Sequence, residues 1–525
     1  MRDHTVTIDT GRTPTGIAFA PNFNCSRVFV DRHLEEGRGA RVFARSFDDE
    51  ITYADLAENQ NRAGNLLRSL GLAPGDRVAM VVADCPEFFY VFWGAIKAGF
   101  VPVPINTLLK SHDYRFMFED SGCRAVIYSA AVAGEVEPAL AAAGLSEIGL
   151  RVEGEGRTLR ALLAAAPTAL DRHPATATDD CFWLYSSGST GNPKGAVHRH
   201  RDMVVAAQYY AVDALGMTAE DVSFSAPKLF FAYGLGCTNY FPLWIGSQAL
   251  FMTGPPTPET VFDMIERFRP TLFFGVPTLY AGALQALNGS DRELGSLRAC
   301  VSGGEALPGD LLRRWREKVG VDIYDGIGST EATHIFIGNR PGDLKPGSTG
   351  RVVPGYAARI VGPDGADLPA NRPGRLWIKG ESTAAYYWNN PDKTAATMRG
   401  EWLDTGDTFA RDEEGYFYFH GRSDDMLKVG GIWTSPFEIE DRLIAHPKVL
   451  EAAVIGRADD AGMIKPAAYV VPANGAEPGD ALAGELLDHC KAGLAKYKYP
   501  RWIEFVDDLP KTATGKIRRF KLRAG

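Results

Sequence analysis

Helix-like segments alternate with short runs of β-branched residues through the first two-thirds of the chain. Residues 53–70 have an apolar face, follow Thr52, which can cap a helix, and end before Gly71. A strand is expected at residues 77–83, and another helix at residues 86–99. This alternation predicts an α/β fold in which doubly wound sheets of mostly parallel strands form a large N-terminal domain.

The sequence pattern changes twice in the last third of the chain. After about residue 340, glycine and proline become frequent, and alternating residues predict a small, mostly antiparallel β unit. A second change near Arg422 opens a stretch with further helices and strands, which predicts a small α+β domain. We therefore expect two domains, residues 1–422 and residues 423–525.

Composition limits the classes of protein to which the chain can belong. Its 525 residues are 45% hydrophobic and 23% charged, as in a globular protein of more than one domain. The net charge of −9 gives no support for nucleic-acid binding. No apolar run approaches the roughly 20 residues of a membrane helix. The seven scattered cysteines include no C-x-x-C pair, so we expect a cytoplasmic protein with reduced thiols and no membrane partner.

The segment YSSGSTGNPKG, residues 185–195, follows an apolar, aromatic run that predicts a strand. Such a loop can hold phosphate, because backbone N–H groups and hydroxyls point inward and Lys194 neutralises charge. It is not a Walker loop, in which Gly-Lys precedes Ser or Thr, since Lys194 follows Pro193 and precedes Gly195. Taken alone, the segment is better interpreted as a surface turn.

Two further segments strengthen the phosphate-binding interpretation. YDGIGSTE, residues 324–331, follows a predicted strand, and ligands of open α/β sheets bind at such carboxyl ends. Thr330 can donate to a phosphate, and Glu331 offers the hard oxygen ligands that Mg²⁺ prefers. The segment PKTATGK, residues 510–516, carries Lys516 close to the end of the chain.

In order and spacing these segments resemble the motifs of the adenylate-forming superfamily, which includes acyl- and aryl-CoA synthetases, luciferases and the adenylation domains of peptide synthetases. SGGEALP (302–308), WLDTGD (402–407) and GRSDDMLKVGG (421–431) complete a set of six motifs. Any one of them is weak, but six in order across nearly the whole chain are not a chance match. The resemblance implies ATP, Mg²⁺ and coenzyme A as ligands.

The resemblance also implies which residues of this chain bind ATP. The β- and γ-phosphates are assigned to Ser186, Ser187, Gly188, Ser189, Thr190, Gly191 and Lys194. Adenine and ribose are assigned to Gly304, Glu305, Ala306, Asp325, Asp407 and Arg422. Thr330 is expected to touch the α-phosphate, and Glu331 to hold Mg²⁺.

Lys516 is implied as the catalytic lysine of adenylate formation. A cation is needed there, because the attacking carboxylate and the nucleotide are both anionic. In the resembling family the small domain moves, with Asp424 as the hinge, and Gly430 and Gly431 lie beside the pantetheine tunnel. Bacterial relatives are silenced by acetylation of the catalytic lysine, so acetylation of Lys516 is expected to stop adenylation. We expect a monomer or homodimer.

Three positions depart from the family pattern. Ile327 stands where an aromatic residue often lies beside adenine, and Arg375 stands where the family commonly has glutamate. Trp433 replaces an arginine that is frequent in acetyl-CoA synthetases. Residue-by-residue assignment is therefore weakest at these positions.

KLFFAYGLG, residues 228–236, falls where the family builds its acid pocket. It contains no acidic residue to pair with an amine, which disfavours an amino-acid substrate. The segment resembles those of benzoate- and hydroxybenzoate-CoA ligases. That resemblance implies a short, flat pocket lined by Ala232, Tyr233, Gly328, His334 and Ile335. His334 then either faces the substrate carboxylate or has a structural role.

The sequence thus predicts a ligase that activates an aromatic carboxylate, benzoate first, as aryl-AMP and transfers it to coenzyme A. Hydroxy-, amino- and halobenzoates and medium-chain fatty acids stay open as substrates. An alternative of another class is a luciferase-like oxidase, which would use O₂ in place of coenzyme A. His198 and His200 show no ligand partners in the sequence, so no metal site is expected at them.

Overall fold

The largest sheet lies at the centre of the large domain. A computed structural model describes residues 3–186, 192–287, 290–422, 425–429, 432–459, 463–496, 498–511 and 517–523. In spatial order this sheet comprises Arg351–Val352, Ile335–Gly338, Ile323–Gly328, Ala299–Ser302, Leu272–Gly275, Val222–Ser225, Gln248–Leu250, Val42–Arg45 and Glu50–Thr52. The six strands between the edges run parallel, and the edges are antiparallel. The inner strands are largely buried because helices cover both faces, and the few polar residues in them, such as Ser223, Ser302 and Asp325, are buried as well.

Two amphipathic helices cover one face of this sheet, with the bounds that their sequences predict. Pro258–Phe268 begins at Thr257, whose side chain accepts the Thr260 N–H, and proline occupies its first turn. Gly309–Val319 ends at Gly320, which has φ +80°. The buried faces of the two helices enclose a hydrophobic core against the parallel strands. The candidate site lies at the edge of the sheet formed by the carboxyl ends of those strands.

A second sheet is entirely parallel and has four strands. In spatial order these are Val101–Pro104, Arg77–Val81, Ala125–Tyr128 and Gly149–Arg151. Helices Tyr53–Ser69 and Pro86–Ala98 lie beside this sheet. They pack closely against each other, because Gly64 of the first helix meets Gly94 of the second where they cross. A Cβ on Gly94 would lie 2.5 Å from the Gln60 carbonyl oxygen.

Shorter helices connect and cover the two sheets. The α-helical pieces are Arg32–Glu35, Ser111–Ser121, Ala133–Ala142, Leu159–Ala165, Asp202–Ala206, Ala232–Leu235, Phe241–Ile245, Pro277–Ala286 and Pro391–Thr397. Wider π-helical turns occupy Arg27–Asp31, Ala207–Ala214 and Gly236–Tyr240, and 3₁₀ turns occupy Ala130–Val132, Ser146–Ile148 and Thr330–Ala332. The α-helix Asp202–Ala206 thus continues directly as the π-helix Ala207–Ala214.

Three antiparallel units complete the large domain. One pairs Asp180–Ser186, Lys194–Arg199 and Tyr386–Tyr387. The predicted β unit comprises Ala357–Val361, Gly374–Lys379, Met398–Arg399, Trp402–Arg411 and Phe417–Arg422. A hairpin of Val6–Asp9 and Gly16–Phe19 lies near the start. The antiparallel character expected after about residue 340 is confirmed.

The small C-terminal domain has its own sheet and core. Its strands are Val449–Ala458, Ile464–Pro472 and Trp502–Phe505, with a hairpin of Leu427–Val429 and Ile432–Thr434. Its helices are Pro436–Ile444, Asp480–Gly493 and Arg519–Arg523. The α/β class and the division into large and small domains are confirmed, whereas the boundary after residue 422 stays a prediction. Within the described ranges, no helix is both long and apolar enough to span a bilayer.

Candidate active site

The phosphate hairpin, which we define as strands Asp180–Ser186 and Lys194–Arg199, forms one wall of the candidate site. Ser186 and Lys194 lie directly opposite each other across the pair. The predicted phosphate loop therefore joins two antiparallel strands, whereas a Walker loop leads from a strand into a helix. Its residues Ser187, Gly188, Ser189, Thr190 and Gly191 lie outside the described residues.

Glu331 connects the phosphate hairpin to the central sheet. The Ser186 hydroxyl and the Tyr387 hydroxyl each donate to its Oε1 at 2.8 Å. Burial would raise the pKa of Glu331, but these two hydrogen bonds and the charge of Lys194 outweigh it and hold the pKa below its ordinary value. The side chain is therefore an anion at neutral pH, as a Mg²⁺ ligand must be.

Tyr387 is a site residue that the sequence reasoning missed. It lies on strand Tyr386–Tyr387 beside the phosphate hairpin, and the Lys194 ammonium lies 5.1 Å from the centre of its ring. Tyr387 thus contacts both the anion and the cation of the site. Only the three-dimensional pairing of strands about 190 residues apart, Ala196 with Tyr387, reveals it.

His198 supports the turn that carries Thr330 and Glu331. Its Nε2 lies 2.8 Å from the Thr330 carbonyl oxygen, and its Nδ1 lies 3.0 Å from Asp202 Oδ2. A carbonyl oxygen can only accept, so Nε2 carries a proton. The sequence predicts no metal-ligand partners for His198 or His200, but His200 lies in a cluster with Cys25 and Cys181, its Nδ1 3.3 Å from Cys25 Sγ.

The residues assigned to adenine lie at the carboxyl ends of two neighbouring parallel strands. Residues 304–306 follow strand Ala299–Ser302, and Ser302 lies directly opposite Asp325 on strand Ile323–Gly328. Asp325 is buried, and its Oδ1 has no hydrogen-bond partner within the described part of the chain. Burial raises its pKa to about 8 against the opposing effect of backbone N–H groups.

Asp407 and Arg422, both assigned to the ribose, face each other across an antiparallel strand pair. Arg422 Nη1 donates to Asp407 Oδ1 at 3.0 Å. The guanidinium thereby orients the carboxylate while half of its own surface stays exposed. The structure brings these two residues together as the resemblance implied.

The residues assigned to the acid pocket lie together, beside the residues assigned to the nucleotide. Gly328 and Ile335 lie directly opposite each other in the central sheet, and the Tyr233 and His334 rings are 5.5 Å apart. Close contacts require small residues here, because a Cβ on Gly328 would lie 2.6 Å from the His334 carbonyl oxygen. Ala232 begins the adjoining helix, Ala232–Leu235.

His334 is a neutral, buried member of an aromatic cluster. Its Nε2 lies 3.3 Å from the Tyr233 carbonyl oxygen, and the Phe241 ring lies 4.4 Å away. Burial lowers its pKa to about 3. His334 therefore cannot offer a positive charge to a substrate carboxylate at neutral pH, and its Nδ1 has no hydrogen-bond partner within the described residues.

Two ion pairs explain charged residues near the site. Buried Asp84 accepts the Leu229 N–H at 3.1 Å, and its other oxygen lies 3.6 Å from Lys228 Nζ, so it holds the pocket segment from a distant part of the chain. Arg375, which departs from the family pattern, lies 3.1 Å from the buried carboxylate of Asp404. Neither pairing is visible in the sequence.

Several assigned residues cannot be located structurally. Lys516, Asp424, Gly430 and Gly431 lie outside the described residues, together with the five residues of the phosphate connection. Their roles stay predictions.

The paired phosphate hairpin, ribose carboxylate and small C-terminal domain define a nucleotide-dependent enzyme of two domains. Residues 30–388 match the family model of AMP-binding enzymes, and residues 438–516 match that of the AMP-binding enzyme C-terminal domain. The chain therefore belongs to the AMP-binding enzyme family. This confirms the membership that the six motifs predicted.

Similar proteins cover the chain almost completely. It is 49% identical over 519 residues to a benzoate–CoA ligase of Thauera aromatica, covering 98% of each chain. It is 43% identical to a 4-hydroxybenzoate–CoA/benzoate–CoA ligase of Rhodopseudomonas palustris, over 96% of this chain and 94% of that one. The structure of an anthranilate CoA ligase in complex with anthranoyl-AMP superimposes with a TM-score of 0.93 at 41% sequence identity. The match covers 96% of this chain and 98% of that one. The structure of a benzoate CoA ligase from Burkholderia xenovorans LB400 superimposes with a TM-score of 0.88 at 42% sequence identity. The match covers 95% of this chain and 100% of that one.

Removing the Tyr387 hydroxyl tests its support of Glu331. In Tyr387→Phe the ring beneath Lys194 remains, but Glu331 loses one of two side-chain donors. We expect the Mg²⁺ concentration for half-maximal ATP–pyrophosphate exchange to rise about 10–100-fold, as is usual for groups that orient metal ligands. Tyr386→Phe is the matched control, since that hydroxyl donates to Asp180 and not to Glu331. An unchanged Mg²⁺ dependence in Tyr387→Phe would contradict this role.

The raised pKa of Asp325 predicts a pH dependence of stability. The folded protein keeps this proton up to about pH 8, whereas the unfolded chain loses it near pH 4. Stability from this group is therefore present at low pH and declines as pH rises toward 8, by up to about 1.4 kcal/mol per pH unit. Asp325→Asn, which mimics the protonated form, should show a smaller decline between pH 5 and 8 in urea unfolding. Parallel curves for both proteins would contradict the prediction.

Proposed function

We propose that this protein is an AMP-forming aryl-CoA ligase that converts benzoate, ATP and coenzyme A to benzoyl-CoA, AMP and pyrophosphate. One observation carries the proposal: the turn Thr330–Ala332 connects two pocket residues, Gly328 and Ile335, which lie opposite each other. The groups assigned to the α-phosphate and Mg²⁺ thus belong to the same hairpin as the acid pocket. A carboxylate seated in that pocket reaches the nucleotide at Thr330.

In the first half-reaction a carboxylate oxygen attacks the α-phosphorus, and pyrophosphate leaves. Bound Mg²⁺ supplies neutralising charge to the phosphates, and the ionised Glu331 is the residue that would hold it. Lys194 and Ser186 bind the leaving pyrophosphate from the rim of the phosphate hairpin. Asp407 accepts from the ribose hydroxyls in the orientation fixed by Arg422. Lys516 bridges the carboxylate and the nucleotide.

In the second half-reaction the thiol of coenzyme A attacks the acyl carbonyl, and AMP leaves. The small domain, residues 423–525, turns about Asp424 to withdraw Lys516. Gly430 and Gly431 then leave room for pantetheine where side chains would obstruct it.

The unpaired, buried cysteines support a cytoplasmic location.

The pocket favours a flat, neutral ring over an alkyl chain or an amino acid. Its walls are the Tyr233 and neutral His334 rings, which leave aromatic surface without a charge to pair with an ammonium group. A hydroxy- or aminobenzoate is the second candidate. The Nδ1 of buried His334 favours it, because this atom has no hydrogen-bond partner within the described residues and a ring O–H or N–H could donate there.

A panel of acids distinguishes these substrates. We expect ATP–pyrophosphate exchange to be fastest with benzoate, slower with 2-aminobenzoate and 4-hydroxybenzoate, and negligible with decanoate. Product analysis with coenzyme A should show the aryl thioester. Fast exchange with decanoate alone would refute the aromatic assignment. Turnover that consumes O₂ and forms no thioester would instead support a luciferase-like oxidase.

The assignment of Lys516 predicts a separation of the two half-reactions. Lys516→Ala should lower adenylate formation by at least about 100-fold, because the carboxylate loses its cation. Thioester formation from supplied benzoyl-AMP should stay within a few-fold of wild type. Lys521→Ala, an exposed lysine of the same domain, is the matched control. Equal loss of both half-reactions in Lys516→Ala would contradict the role.

Acetylation of Lys516 should have the same effect as its removal, because it abolishes the charge. We expect protein acetylated at Lys516 to lose ATP–pyrophosphate exchange and to recover it on enzymatic deacetylation. Intact mass and peptide mapping would quantify the modified fraction. Full exchange activity in a stoichiometrically acetylated sample would rule out this regulation.

A further inference from the structure

We propose that Cys25, Cys181 and His200 form a zinc site in the large domain, with two thiolates and one imidazole as ligands. Cys25 Sγ lies 3.6 Å from Cys181 Sγ and 3.3 Å from His200 Nδ1. All three ligand atoms lie within 4.8 Å of one another, and all three residues are buried. None of them belongs to the nucleotide site or the acid pocket.

The fold brings these residues together from distant parts of the sequence. Cys181 is the second residue of strand Asp180–Ser186, and His200 follows the paired strand Lys194–Arg199. Cys25 precedes the turn Arg27–Asp31, and its backbone N–H lies 3.3 Å from His200 Nδ1, a long contact that zinc bound to this nitrogen would replace. The site therefore fastens the beginning of the chain to the base of the phosphate hairpin.

Two of the three ligand separations match those of tetrahedral zinc, and the third, between Cys181 Sγ and His200, lies within 4.8 Å. With Zn–S near 2.3 Å and Zn–N near 2.0–2.1 Å, tetrahedral angles place two sulfurs about 3.8 Å apart and a sulfur and a nitrogen about 3.5 Å apart. The observed separations of 3.6 and 3.3 Å agree to about 0.2 Å. Without a metal, these contacts would be direct hydrogen bonds between two thiols and between a thiol and an imidazole. Such hydrogen bonds are weak, because a thiol is a weak donor and a weak acceptor.

Charge and access favour a soft divalent cation. Two thiolates balance Zn²⁺, so the loaded site is neutral, which suits a buried position. His200 lines a cavity of about 420 Å³, together with His173, Asp179 and Trp183. Since no fourth metal-binding side chain joins the cluster within the described residues, water from this cavity would supply the fourth ligand. His200 is the one member of the cluster that lines this cavity.

Metal content of the full chain tests the site. Protein purified without a chelating resin and reconstituted with Zn²⁺ should retain about one zinc per chain after gel filtration, by elemental mass spectrometry. Cys25→Ser and Cys181→Ser should each lower the retained zinc by at least tenfold. Cys300→Ser is the matched control, since Cys300 is equally buried but lies outside the cluster.

Cobalt substitution on the wild-type chain avoids any dependence on a variant that fails to fold. Co²⁺ should give thiolate-to-cobalt charge-transfer absorption and the strong visible bands of a tetrahedral site, both removed by added Zn²⁺. Absence of these bands and of retained zinc would overturn the proposal, as would equal zinc in Cys25→Ser and wild type. A Cys25–Cys181 disulfide, seen as a mass lower by two hydrogens before reduction, would also overturn it.

Discussion

The hydrogen-bonded carboxylate of Glu331 is the interaction on which the rest of the site depends. It accepts from Ser186 of the phosphate hairpin and from Tyr387 of the neighbouring strand, while its own turn leaves the central sheet. Three chain segments are thereby held around one anion. Burial alone would favour its protonation, so these donors and the charge of Lys194 keep it ionised. Without that anion, the phosphates would lose the group proposed to position Mg²⁺.

The same turn joins the residues proposed to bind the nucleotide to those proposed to bind the acid. His198 fixes the Thr330 carbonyl from below, and Gly328 and Ile335 carry the acid pocket at the two ends of the turn. In the proposed reaction, a ring seated in this pocket would place its carboxylate beside Thr330, the residue assigned to the α-phosphate. Proximity of this kind supplies much of the rate enhancement when two anions must react. The neutral state of His334 keeps the pocket suited to an uncharged ring.

Much of the fold was predictable because its signals are local. Helices Pro258–Phe268 and Gly309–Val319 have the predicted bounds, since their caps and apolar faces lie within the segments themselves. The six sequence motifs were sufficient to predict the family to which the chain belongs. Tyr387, His198 and Asp84 escaped prediction as site residues, because their contacts join positions 56 to 145 residues apart and leave no local pattern.

In the proposed reaction the aromatic carboxylate itself attacks the α-phosphorus beside Glu331. Benzoate labelled with ¹⁸O in both carboxylate oxygens tests it directly when AMP is analysed by mass spectrometry after turnover with coenzyme A. We expect one ¹⁸O atom in each AMP and one in the thioester carbonyl, because the bridging oxygen of the adenylate leaves with AMP. Unlabelled AMP, or label in inorganic phosphate with ADP as the product, would contradict it.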